Sequence, residues 1–414
     1  MPPTSFSRDA LSLGDSVTHG TKALIDSLNA GVPEAERIID LSIGTLDTPA
    51  DARIDRAVRE FVARDPQTAH AFAPVKGFPS LRSAVAARTR RLHGIDYDPG
   101  SEVIVTPGGI KGALTVAFHT FLDPGDEVVV PVPNWPHYGD MVKLHGATPA
   151  YAVSSEPGLG LSPAVLRKAL SKRTKLLILG DCINPTGKVY STGELRSLAA
   201  VVAQHNASRA ARGASPVHVL FDCPYEAHVL GQRAKTFAAL EGMRELTLSV
   251  TGPGKTYGMH GDRIGYVCAS KETIAMMERV QVNLNSFAST YGQAAALAAL
   301  QEDMDEAAAR RAREARANLE AMADRLGVGH PAGGYFLFVD LSAHAAAFAA
   351  CGYASADLFL LHEARVATIG GSHFAEGVER FRHHVRINCG RSAALLEAAS
   401  SRIAAALSKL MAAA

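Results

Sequence analysis

Short apolar runs alternate with longer amphipathic stretches through the middle of this chain, a pattern that predicts a sheet of mostly parallel strands joined by crossover helices. Glu-Val-Ile-Val-Thr (102–106) reads as a strand, Gly108-Gly109 opens a helix running to Phe121, and Asp-Pro-Gly-Asp (123–126) turns the chain into the strand Glu-Val-Val-Val (127–130). Lys-Leu-Leu-Ile-Leu (175–179) and His-Val-Leu-Phe-Asp (218–222) read as two further strands, and between them Ser191 and Glu194 make a capping box ahead of an amphipathic helix. Beyond about residue 285 the texture turns Ala-, Arg- and Glu-rich and predicts a long helix to about Leu326, suited to join two domains. A smaller α+β unit follows, with strands at 334–340 and 384–388 and an Ala-rich helix from about 393.

Composition narrows the picture. At 414 residues and 47% hydrophobic, the chain exceeds one ordinary core and suits a large domain plus a smaller one. Lys and Arg number 42 against 41 Asp and Glu, with no long run of either sign, so neither nucleic acid nor an anionic membrane is an expected partner. Cysteines 182, 223, 268, 351 and 389 stand far apart, with no CxxC pair and no His/Cys cluster at zinc spacing. They predict free buried thiols in a reducing compartment and no metal site. The first residues lack the cationic start and apolar core of a signal peptide, and no apolar run approaches membrane-spanning length, so the expected location is cytoplasmic.

The most informative stretch is Ser249-Val-Thr-Gly-Pro-Gly-Lys-Thr-Tyr-Gly-Met-His-Gly-Asp-Arg-Ile-Gly-Tyr266. Its Gly-Lys-Thr invites a phosphate-loop reading, that of a nucleotide binder, but the glycine such a loop needs five positions before the Gly-Lys pair is Ser249. A glycine-bracketed lysine on a loop after a strand, followed by Arg263, suits another chemistry. The Lys255 amine condenses with an aldehyde cofactor, and a fixed guanidinium binds that cofactor's phosphate through two N–H groups. Taken alone, the pair reads as a surface lysine and a salt-bridged arginine.

Other segments supply what a cofactor with a pyridinium ring requires. Its nitrogen acts as an electron sink when a buried carboxylate keeps it protonated, and Asp222, closing the strand His-Val-Leu-Phe-Asp, is the candidate. Tyr225 and Asn184, the latter in Asn184-Pro-Thr-Gly187, are candidate donors to a phenolate oxygen of the ring. Alone, Asp222 reads as a cap or turn acid and Asn-Pro-Thr-Gly as a turn. The helix start at Gly108, Gly109 and Ile110 offers amides and a positive dipole end for phosphate. Trp135, the only tryptophan, follows a strand and could stack on a flat cofactor, against the bland reading of core packing. Arg386, between apolar neighbours in His-Val-Arg-Ile-Asn, could pin an α-carboxylate; the bland reading is an edge-strand arginine paired with a local acid.

With these residues in order, the sequence resembles the fold-type I aminotransferases of class I/II, the aspartate aminotransferase superfamily, from about Ile39 to the C-terminal helix. Asn184-Pro-Thr-Gly, Asp222 with Tyr225, Lys255 with Arg263, and Arg386 match the family's functional positions. Gly44 matches a glycine that approaches substrate, and Gly77 with Leu81-Arg82 matches a Gly-x-x-x-Leu-Arg segment. The resemblance implies an α/β fold with a mostly parallel seven-stranded sheet flanked by helices and a smaller α+β domain built from both chain ends. The expected division is 1–48 joining the small domain, 49–300 large and 301–414 small. It further implies pyridoxal 5′-phosphate on Lys255, and amino-group transfer between an L-amino acid and a 2-oxo acid, with Lys255 as general base and acid. Trp135, Gly44, Asn184 and Arg386 would face the substrate, and the protein would be a homodimer with shared active sites.

Departures accompany the match. Phe72 stands where the family usually has a tyrosine whose hydroxyl reaches the partner's cofactor phosphate. Gly252 and Gly254 stand where many relatives carry serines, and Asp262 replaces a bulky residue before Arg263. Elimination, cyclisation, oxidation or decarboxylation from the same cofactor therefore stays open at this stage, as do the donor, the acceptor and the pathway.

Overall fold

The structure, a computed structural model, describes residues 5–11, 13, 17–154, 158–229 and 236–413. The first four residues, part of the stretch read above for a leader, lie outside that range. Seven strands form the main sheet: β1 (Val103–Pro107), β2 (Glu127–Val132), β3 (Thr148–Val153), β4 (Thr174–Gly180), β5 (His218–Asp222), β6 (Thr247–Thr251) and β7 (Ile264–Cys268), in the order β1-β7-β6-β5-β4-β2-β3. All run the same way except β7, which is antiparallel to both neighbours.

Period-two alternation explains why both faces are covered. On β4, Leu176 and Ile178 join one core with Leu114 and Phe118 of α1 (Gly109–Phe121), while Leu177 and Leu179 join the opposite core with Leu195 and Leu198 of α2 (Thr192–Ala210). The capping box at the start of α2 forms as expected: Ser191 accepts from the Glu194 amide at 3.2 Å, and Glu194 accepts from the Ser191 amide at 2.7 Å.

The expected helix from 285 to 326 is instead two helices. Thr290–Ala299 ends at buried Leu300, a short 3-10 turn follows at Glu302–Met304, and α3 (Asp305–Leu326) starts afresh. Four acids, Glu302, Asp303, Asp305 and Glu306, surround the restart, where carboxylates favour a helix N-terminus. That charge cluster was the available signal for the break. α3 spans two cores: Ala308 packs with Ile264, whereas Leu319 and Met322 pack with the second sheet.

That second sheet has β8 (Phe336–Asp340) and β9 (His384–Asn388), with Ile369–Gly370 on the other side of β9. Nearby, Ile39–Asp40 pairs in parallel with Val366–Ala367, so a segment from near the N-terminus shares a core with α3, β8, β9 and α4 (Ala393–Ala413). Four cysteines are buried, but Cys351 is exposed at the end of a short surface helix, against the expectation of uniformly buried thiols. Among the described residues no helix is long and apolar enough to cross a membrane.

Candidate active site

Sheet polarity assembles the site. Parallel strands β2, β4, β5 and β6 end at one edge, and the antiparallel β7 begins there, so residues far apart in sequence converge. A cavity of about 230 Å³ opens at this edge. Among the described residues it is lined by Asn134 and Trp135 after β2, Asn184 after β4, Asp222 and Tyr225 at and after β5, Lys255 after β6, Arg263 before β7, and Gly109 and Ile110 at the start of α1.

Lys255 lies in a one-turn helix, Pro253–Tyr257, and its Nζ donates to the Gly44 carbonyl at 2.5 Å. Tyr335 donates to the same carbonyl at 3.2 Å. Gly44 is thus placed against the lysine, and a methyl group there would meet the Phe336 ring at 3.0 Å. Burial, reinforced by the Arg386 charge and opposed by Asp222, pushes the Lys255 amine down to about 7.

Asp222 closes β5 with its side chain buried. Tyr138 donates to its Oδ2 at 2.5 Å, whereas Oδ1 is buried with no hydrogen-bond partner in the structure. Burial raises this carboxyl to about 7, against the Tyr138 hydrogen bond and the Lys255 charge, which lower it. An orphaned buried carboxylate oxygen is costly unless something meets it. A protonated ring nitrogen in the cavity would do so.

At the other end, Arg263 has a φ of 55°, uncommon for a residue with a side chain. Its guanidinium donates to the Gly108 carbonyl at 2.6 Å and to the His260 carbonyl at 3.0 Å. Gly109, with a φ of 70°, admits that guanidinium: a Cβ there would lie 3.1 Å from Nη2. The Gly109 amide donates to the Arg263 carbonyl at 2.9 Å, while the next amides of the first turn, those of Ile110 and Lys111, lack intrahelical acceptors, so this corner combines a cation with helix-end N–H groups, a suitable seat for a phosphate dianion.

On the small-sheet side, Arg386 donates to Asn184 Oδ1 at 3.1 Å and to the Ser42 carbonyl at 2.5 Å, while its Nε is buried without a partner. Burial pushes it down to about 10. The bland reading of Arg386 is corrected on two counts. Its strand β9 is central, between β8 and Ile369–Gly370, and no carboxylate among the described residues pairs with it. A buried guanidinium without an acid is poised for an anionic ligand.

Phe72 stays outside this cavity; it is 92% exposed and meets Phe287 edge-on at 5.6 Å. The sequence reading missed Tyr138. Its signal was position: Tyr138 follows Trp135 by three residues, so both rings share a face, 5.2 Å apart. Lys111 and His260, which also line the cavity, were missed as well. Lys255 lies inside this cavity on its one-turn helix, which leaves the phosphate-loop reading without support.

A three-layer fold with a buried amine, an unpaired acid and an anion corner around one cavity defines an enzyme that works through amine and carbonyl chemistry. The chain belongs to the class I and II aminotransferase family, whose model matches residues 36–403. It is 33% identical over 394 residues to a probable aspartate/prephenate aminotransferase of Thermus aquaticus, covering 92% of this chain and 95% of that one. It is 31% identical over 408 residues to a bifunctional aspartate aminotransferase and glutamate/aspartate-prephenate aminotransferase of Petunia hybrida, covering 94% of this chain and 80% of that one. The structure of aspartate aminotransferase from Thermus thermophilus with maleate superposes with a TM-score of 0.84 at 30% identity, covering 98% of this chain and all of the other. The protein is accordingly an enzyme that transfers amino groups between amino acids and oxo acids.

Proposed function

We propose that the cavity holds pyridoxal 5′-phosphate on Lys255, and that Arg386 with Asn184 binds the carboxylate of the amino acid or oxo acid. The observation that carries this reading is the buried, unpartnered Oδ1 of Asp222 in the same cavity as the Lys255 amine, with the Arg263 corner also lining it. Bound there, the cofactor supplies an electron-poor ring that stabilises negative charge on the amino acid's Cα.

The chain's own residues then have defined tasks. Asp222, oriented by Tyr138, holds a proton at the ring nitrogen. Arg263 and the first turn of α1 hold the phosphate, and Trp135 covers a ring face. Tyr225, near Lys255 and driven towards its neutral form by burial, supplies a hydroxyl donor at the cavity wall. Lys255, its amine pushed well below the ordinary lysine range by burial, takes and returns the Cα proton. Gly44 leaves room beside the amine and accepts its hydrogen bond.

The names of the relatives point to dicarboxylic donors such as aspartate for them. The exposed Phe72 and its neighbour Phe287 support a homodimer with Phe72 towards the partner's site. Free cysteines support a reducing, cytoplasmic setting. The proposed division stays 1–48 with the small domain, 49–300 large and 301–414 small, supported by Ile39 and Leu41 packing in one core with Leu319, Val339 and Ile387.

The test is a visible spectrum of the purified protein before and after borohydride, followed by peptide mass. A visible band that disappears, with the added mass on Lys255, is the expected result. Lys255→Ala should lose the band and at least about a hundredfold in transamination rate. An unchanged rate in that variant would overturn the assignment.

A further inference from the structure

The corner around Arg263 is short of hydroxyl groups. Among the described residues no serine or threonine lines the cavity. Its two tyrosines serve the other end: Tyr138 donates to Asp222 at 2.5 Å, and the Tyr225 ring lies 6.0 Å from the Lys255 Nζ. Arg263 already directs two of its N–H groups at the Gly108 and His260 carbonyls. A phosphate ester presents three strong acceptor oxygens, so this corner has room for a further side-chain donor.

The two glycines that stand where many relatives carry serines differ in what surrounds them. A Cβ on Gly252 would lie 2.7 Å from the Ile264 carbonyl oxygen, so the backbone itself excludes a side chain there. Gly254, which lines the cavity, meets no such clash. The nearest atom to a Cβ on it is Nδ1 of His260, at 3.6 Å, an ordinary van der Waals contact. The imidazole therefore stands beside the place from which a hydroxyl at position 254 would reach the cavity.

His260 is built to be a donor. It lies on the turn between the lysine's one-turn helix and β7, and it lines the same cavity as Gly254, Lys255 and Arg263. Its carbonyl accepts from the Arg263 guanidinium at 3.0 Å, which fixes the histidine backbone against the arginine. Its Nε2 is buried with no hydrogen-bond partner in the structure. Burial, reinforced by the charges of Lys255, Arg311 and Arg263, pushes the imidazole down to about 4 and so keeps it neutral. A neutral imidazole carries one N–H donor, so the ring enters the corner as an uncharged donor, in the manner of a hydroxyl.

We propose that His260 is a cofactor-binding residue whose imidazole donates an N–H to the phosphate, in place of a hydroxyl at position 254. This rests on the assignment of the cofactor to Lys255.

The test titrates the cofactor-free protein with pyridoxal 5′-phosphate and, separately, with pyridoxal, which reacts with the same lysine but carries no phosphate, and follows the visible band. His260→Ala should weaken pyridoxal 5′-phosphate by roughly ten- to a hundredfold, the range for one hydrogen bond to a charged group, and leave pyridoxal within about twofold. A second readout uses the unaltered protein: inorganic phosphate added to its cofactor-free form should shift the His260 ring resonances, identified by their loss in His260→Gln. An equal loss for both compounds, an unchanged affinity for pyridoxal 5′-phosphate, or unmoved His260 resonances would overturn the role of His260 alone. A protein that acquires no band on Lys255 would overturn the cofactor assignment as well.

Discussion

Tyr138 donates its hydroxyl to Asp222 Oδ2 at 2.5 Å, and this bond leaves Oδ1 as the carboxylate's one unsatisfied oxygen in the cavity. The two residues are 84 positions apart, on the helix after β2 and at the end of β5. The bond fixes which oxygen faces a ligand, and it lowers the pKa that burial has raised.

Tyr138→Phe removes that support. A hydrogen bond to a charged group contributes about 1.5–3 kcal/mol, so transamination should fall by roughly ten- to a hundredfold. Because the carboxyl would then favour its neutral form more strongly, the acid limb of the pH–rate profile should move to higher pH. An unchanged profile would remove Tyr138 from the site.

Lys255 links protonation to stability in the protein without cofactor. Its folded pKa, about 7, lies below the ordinary lysine value of 10.5, so between these values the unfolded chain binds more protons. Stability then rises with pH across that window and carries a constant penalty below it. Lys255→Met should abolish this contribution, giving a cofactor-free protein that is more stable than the wild type near pH 7, with the difference shrinking towards pH 10. Paired denaturant titrations across the range measure it.

Arg386→Ala should raise KM for amino acids by about a hundredfold or more, consistent with about 3–5 kcal/mol for a truncated buried charged partner, while the visible band persists. Arg386→Lys should recover little, because an ammonium cannot reproduce the planar fork that meets a carboxylate. Equal loss of the band and of activity would instead indicate a folding role.

Arg88 forms a buried ion pair with Glu226, and His93 adds a contact at 2.9 Å to the same carboxylate, directly beside Tyr225. Despite burial, Arg88 and His93 hold Glu226 well below the usual carboxylate range. Its stabilisation is therefore fully present at neutral pH and is lost progressively as pH falls below the ordinary glutamate value of 4.5 and on through the depressed pKa. Arg88→Ala should cost about 3–5 kcal/mol in denaturant unfolding, since it leaves a buried carboxylate without its cation.

Much of this protein was legible in its sequence where the signal is local. Alternation placed β5 at His218–Asp222 and β9 at His384–Asn388, residue for residue, because a strand's pattern and its ends are carried by neighbours. The Ser191–Glu194 box announced α2 for the same reason, and the order of Asn184, Asp222, Lys255, Arg263 and Arg386 pointed to the family. Tertiary structure decided what depends on distant segments meeting. Leu300 is buried where two helices replace the expected one, a packing outcome that an Ala-rich pattern does not encode. The Gly44 carbonyl reaches Lys255 across 211 positions, and Arg386 reaches Asn184 across 202. Periodicity records which face of an element is apolar; which acid is left unpaired depends on what the folded chain brings against it.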